Sequence, residues 1–202
     1  MNKRIVIIAS TAALMAGAAG ALVSTAEAHT KVAKAKLATA DGSGIGTVEF
    51  STDDGHTEVR VHLESAAGVD AFHGFHIHAN DVPANGEGCI ADPAAAPSTW
   101  FVSADGHFNP TATTHSHHAG DMPVVYVNAD GSVNTTFRID SIPTAELAGK
   151  VVILHAGADN YANIPLGTGA TQYTANSADA TTATGKTGNA GDRIACGVIA
   201  VR

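Results

Sequence analysis

Strict alternation of apolar and polar residues runs through Thr57–Glu64. Val59, Val61 and Leu63 fall on one side, and Glu58, Arg60, His62 and Glu64 on the other. A period of two predicts a strand with one face on a core and one in water. Looser alternation over Lys31–Thr39 and Thr47–Ser51, with turn signals at Asp41-Gly42 and Asp53-Asp54-Gly55, extends this to a run of antiparallel strands. A further strand is expected over Gly74–Ala79. The pattern then stops from Asn80 to Met122, a stretch too long for an ordinary connection in a compact domain. Strands resume at Val124–Val127, turn at Ala129-Asp130-Gly131 and return over Val133–Ile139. Val151–Leu154 is a continuous apolar run, the signature of a strand buried on both faces. A second long loop spans Ala156 to about Asp192, and Ile194–Val201 closes the chain.

Eight strands, two long loops and no amphipathic helix define an all-β chain. The expected architecture is an eight-stranded Greek-key β-sandwich or flattened barrel, Ig-like in outline, with two functional loops.

The N-terminus changes this picture only at the edge. Basic Met1–Arg4, an Ala-rich apolar run to about Val23 and small residues at Ala26 and Ala28 read as a cleaved secretory signal peptide over 1–28. A single domain over 29–202 follows. Export implies a periplasmic or extracellular protein. Loss of Lys3, Arg4 and Glu27 takes the formal charge from −8 to −9. So acidic a chain suits neither nucleic acid nor an anionic membrane. Two cysteines in an exported chain suggest one disulfide.

Histidines carry the candidate chemistry. His76 and His78 are two apart on a strand and share a face, with Ile77 opposite. His73 lies on the other face and is expected to be a structural, hydrogen-bonded histidine. His56 and His62 read as exposed. His107, His115, His117, His118 and Asp121 follow in the first long loop, and His155 ends the strand Val151–Leu154. Three imidazoles with a carboxylate complete a tetrahedral zinc set. Further imidazoles around an open position suit copper, which, unlike zinc, can exchange electrons.

These residues fall into a known order. Gly74-Phe75-His76-Ile77-His78, Gly106-His107-Phe108-Asn109-Pro110, His118-Ala119-Gly120-Asp121 and Gly188-Asn189-Ala190-Gly191-Asp192-Arg193-Ile194-Ala195-Cys196-Gly197-Val198-Ile199 together resemble the secreted bacterial copper/zinc superoxide dismutases. The resemblance covers essentially the whole chain after residue 28. It implies disproportionation of superoxide to dioxygen and hydrogen peroxide, with copper cycling between Cu(II) and Cu(I). It implies copper on His76, His78, His107 and His155, and zinc on His107, His115, His118 and Asp121, so that His107 is shared and catalytic. His115 is preferred to His117 because it lies eight residues after His107. Asp159 would link a copper histidine to a zinc histidine by accepting their ring N–H groups. Arg193 would dock the anion, Lys186 and Thr187 would stand at the channel rim, and Cys89 and Cys196 would form the family's disulfide. Monomeric and homodimeric forms are both compatible with it.

Two departures stand out. Only Ser116 and His117 separate His115 from His118, shorter than is usual in the family, and Asp81 stands where the family has glycine. The first leaves room for His117 as a substitute ligand, or for a copper-only dismutase with weak zinc binding. A third reading is a copper-binding protein without turnover, supported by the number of histidines and by His29, which cleavage would make the N-terminus.

Overall fold

The computed structural model describes residues 32–53, 55–140, 142–161 and 178–201. The expected signal segment, His29 and the middle of the second long loop lie outside these residues.

Among the described residues nine strands form in order: β1 (Val32–Ala38), β2 (Gly44–Asp53), β3 (His56–Leu63), β4 (Ala71–His73), β5 (Phe75–His78), β6 (Val125–Val127), β7 (Val133–Asp140), β8 (Val151–His155) and β9 (Arg193–Val201). Seven of them make one antiparallel sheet in the order β5-β8-β9-β1-β2-β3-β7, and β4 pairs with β6. The long sheet curls into a half-barrel. Its order carries the expected crossovers, since β3 neighbours β7 while β5 neighbours β8. The additional strand is β4, three residues separated from β5 by Gly74.

Alternation places the core. In β3, Thr57, Val59, Val61 and Leu63 are buried, and His56, Arg60 and His62 are exposed. Val59, Val61 and Leu63 join Leu37, Val48, Phe50, Phe75, Ile77, Val152, Leu154 and Ile199 in filling the inside of the curl. A smaller cluster of Phe101, Ala104, Val151, Ile153 and Cys196 lies on the other face of β8 and β9. Thus β8 is covered on both sides, which explains its unbroken apolar run.

The loops are ordered by polar and covalent ties. Cys89 and Cys196 form a disulfide between the first loop and β9. The second loop carries a helix that the sequence reading missed, α2 (Ala178–Thr187), after the single turn α1 (Thr144–Leu147). Rich in Thr and Ala and interrupted by Gly185, α2 shows no apolar stripe. It is held from outside instead: the His115 amide donates to the Gly185 carbonyl at 2.9 Å and the Asn160 amide to that of Gly188 at 2.7 Å.

Candidate metal centre

β5 sits at the end of the long sheet, and the first loop closes its free edge. The Ile77 amide donates to the Gly120 carbonyl (2.8 Å), the Phe108 amide to that of Ile77 (2.8 Å) and the Ala79 amide to that of Gly106 (2.9 Å). Phe75 and Ile77 point into the main core. His76 and His78 therefore point to the opposite face, beneath the loop, where both are buried. Bridges pair His76 with Asp121 and His78 with His107. His155 comes in from the end of β8 and lies opposite Arg193 of β9.

Four imidazoles converge there. One ring nitrogen from each of His76, His78, His107 and His155 lies within 4.8 Å of the others. Three of the rings are held by hydrogen bonds through their other nitrogen: His76 Nε2 donates to Asp159 Oδ2 (2.8 Å), His78 Nδ1 to the Asp105 carbonyl (2.8 Å) and His155 Nδ1 to the Gly191 carbonyl (3.1 Å). A carbonyl can only accept, so the proton sits on the bonded nitrogen of His78 and His155, and the far nitrogen carries a lone pair. Those far atoms, His76 Nδ1, His78 Nε2, His107 Nε2 and His155 Nε2, are buried and have no hydrogen-bond partner. Four buried lone pairs aimed at one another are costly unless a cation joins them.

Burial keeps His78, His107 and His155 neutral. It pushes His107 down to about 4 and His155 to about 3, helped by neighbouring imidazoles and against the pull of Asp121 on His107. Burial likewise holds His78 well below the ordinary range, with Arg193 adding to the effect. Neutral imidazole is the form that binds metal.

The second cradle shares His107. His107 Nδ1 lies 2.8 Å from Asp121 Oδ1 and 3.2 Å from His118 Nδ1; His118 Nδ1 lies 3.2 Å from Asp121 Oδ1, and His115 Nδ1 lies 3.1 Å from Asp121 Oδ2. Zinc bonds of about 2.0–2.1 Å in a tetrahedron put neighbouring donors about 3.3 Å apart. These four separations are close to that value; the donors that close within 4.8 Å of one another on this side are those of His76, His107, His115 and Asp121, with His118 beside them through His107 and Asp121. His117 is exposed and outside this cluster. Burial pushes the His115 imidazole down, but Asp121 and Asp159 outweigh it and hold it at about 9. Burial pushes Asp121 up, yet His107 and His115 hold it far below the usual carboxylate range.

Asp159 joins the cradles. Its Oδ2 lies 2.8 Å from His76 Nε2 and 3.6 Å from His115 Nε2. Burial raises its pKa, and His115 and His76 bring it down to about 2. Two glycines make room for it: a Cβ on Gly74 would come within 2.5 Å of Asp159 Oδ1, and one on Gly188 within 3.0 Å of that oxygen and 2.6 Å of His115 Nε2.

Arg193 is half-buried and donates from its guanidinium to the Phe101 and Asp105 carbonyls. Lys186 is exposed near the end of α2, and Thr187 is half-buried. His73 is fully buried, with Nδ1 2.7 Å from the His155 carbonyl and Nε2 2.7 Å from that of Gly68. Sequence reasoning passed over Asp105 and Gly191, because their contribution is a backbone carbonyl, which every residue carries.

An antiparallel half-barrel bearing two imidazole-rich cradles that meet at His107 defines a two-metal protein of mixed structural and redox chemistry. Comparison with known proteins gives the family. The family model for copper/zinc superoxide dismutase (SODC) matches residues 45–199. The chain is 36% identical over 193 residues to the Superoxide dismutase [Cu-Zn] of Mycolicibacterium paratuberculosis, covering 91% of this chain and 79% of that protein. It is 34% identical over 176 residues to that of Brucella abortus, covering 82% and 94%. Among solved structures, a SOD-like protein from Bacillus subtilis, solved as a double mutant, matches with a TM-score of 0.55 at 27% identity, covering 81% and 94%. The clock protein EA4 matches with a TM-score of 0.59 at 26% identity, covering 86% and 96%. The chain belongs to the copper/zinc superoxide dismutase family. Its cofactors are copper and zinc, and superoxide dismutation is the family's function.

Proposed function

We propose that copper is held by His76 Nδ1, His78 Nε2, His107 Nε2 and His155 Nε2, and zinc by His107, His115, His118 and Asp121, in an exported enzyme whose single domain spans 29–202. The observation that carries this reading is the set of four buried, unpartnered nitrogens. Copper supplies the one-electron exchange by which two superoxide ions and two protons become dioxygen and hydrogen peroxide.

The chain's own residues do the rest. His107 stands between the cradles: with Nδ1 kept in the zinc cradle, Nε2 would either hold copper or, when not so bound, carry a proton for the reduced product, since its one lone pair serves only one of them at a time. Asp159 holds His76 and His115 in fixed orientation and thereby couples the two cradles. Arg193 docks the anion. Burial lowers its pKa from the ordinary value and Asp105 offsets part of that, yet a guanidinium starts so high that it stays charged. It is needed because a chain of formal charge −9 over residues 29–202 repels an anion at long range. Lys186 and Thr187 belong to the rim of the approach.

The test is superoxide disproportionation by metal-loaded protein, with copper and zinc counted per chain. One of each, with activity lost in His78→Ala, supports the reading; inert loaded protein overturns it. Copper alone with full activity favours a copper-only enzyme. Arg193→Ala should lower kcat/KM about tenfold or more and shift its salt dependence towards acceleration, because screening then relieves only repulsion.

A further inference from the structure

A third buried carboxylate, that of Asp105, lies outside both cradles. Asp105 lies two residues before His107 and adopts φ 63° and ψ −152°, a backbone conformation that suits glycine and that side-chain-bearing residues rarely take. The residue is nevertheless an aspartate, and it is only 8% exposed. Its carboxylate is fully engaged. Oδ2 accepts from the Asp81 amide at 2.7 Å and the Val82 amide at 2.8 Å, and Oδ1 accepts from Asn85 Nδ2 at 2.7 Å. Its peptide carbonyl meanwhile accepts from His78 Nδ1 at 2.8 Å and from the Arg193 guanidinium.

One residue thus joins the turn after β5 to two side chains of the site. We propose that Asp105 is a positioning residue: its carboxylate, locked onto the Asp81–Asn85 turn, fixes the direction of its own carbonyl, and that carbonyl sets the His78 ring and the Arg193 guanidinium. The inference rests on the roles given above to His78 and Arg193. The same carboxylate pins the amide of Asp81, which stands where the resembling family has glycine. The rival account is that the backbone alone sets the carbonyl. Glycine separates the two, since Asp105→Gly favours the same backbone angles and removes only the brace. Charge separates them again. The Asp105 carboxylate is a negative group beside Arg193, so a purely electrostatic role predicts that its removal tightens anion binding, whereas the positioning role predicts loosening.

The test compares copper- and zinc-loaded wild type with Asp105→Gly, Asp105→Asn and Asn85→Ala. Readouts are the Cu(II) electron paramagnetic resonance spectrum, the azide Kd from visible absorption, and kcat/KM. Asp105→Gly is expected to alter the spectrum, weaken azide binding several-fold and lower kcat/KM about tenfold. Asp105→Asn and Asn85→Ala should move all three in the same direction by less. An unchanged spectrum with unchanged or tighter azide binding in Asp105→Gly overturns the proposal. If that variant does not fold, Asn85→Ala decides by the same criteria. Arg193→Ala, run in parallel, separates the layers. If azide affinity is unmoved there, the docking role of Arg193 falls and that half of the proposal with it, while the spectrum of Asp105→Gly still decides the positioning of His78.

Discussion

His115 and His117 show how finely a side chain's role depends on its backbone. They are two apart in a short subloop, yet one is buried against Asp121 and the other is exposed. His115→Ala is expected to abolish stoichiometric zinc retention after dialysis, and His117→Ala to leave it unchanged; metal analysis decides. Protonation gives a second prediction, for the metal-free protein. His107 and His155 titrate near 4 and 3 in the fold and near 6.5 in the unfolded chain. As the pH falls below 6.5, the unfolded state binds protons that the fold refuses, and stability is lost. His115 works the other way. Its pKa is raised to about 9, so its contribution is fully present below 6.5 and is lost as the pH rises through 9. The Tm of metal-free protein should therefore peak near pH 6.5 and fall on both sides. A flat profile between pH 4.5 and 9 would contradict these assignments.

At the scale of elements, Gly74 is the joint that matters. It separates β4 from β5 and lets Asp159 approach; a Cβ there would also meet Ala190 Cβ at 2.7 Å. Gly74→Ala should cost about 1–3 kcal/mol of stability and weaken copper retention, measured by denaturant titration and by competition with a chelator. What could be read from the chain divides along the same lines. β3 was plain because one face is wet, so its alternation survives in the residues. The shared face of His76 and His78 followed from strand period alone. β4, three residues long, is too short to show a period, and α2 carries no stripe because its ties to His115 and Asn160 run through backbone atoms. The convergence of His155 on His76 could not come from local pattern. It depends on the register of β5 against β8, which pairs His76 with Ile153, 77 positions on, and the resemblance supplied it instead. The brace at Asp105 was illegible for a different reason: its partners are two amides and one ordinary asparagine.

The whole molecule is tied by one covalent bond. The Cys89–Cys196 disulfide closes a separation of 107 residues and anchors the first loop beside β8. Chain-entropy arguments put such a closure at about 4–5 kcal/mol. Cys89→Ser should lose a large part of that in equilibrium unfolding of the metal-free protein, and less once both metals are loaded, since they hold the same loop. Equal losses in the two states would mean that loop order and metal binding are independent.

The loop that closes the edge of β5 has one more consequence. Its amides and carbonyls occupy positions where a neighbouring strand would otherwise add, and its side chains supply His107 and Asp121 to the same spot. Without ions the loop keeps these hydrogen bonds and its disulfide but lacks the links that a shared metal would add, so any local opening there would bare the peptide groups of β5. Metal loading would then help to keep that edge covered as well as serve turnover.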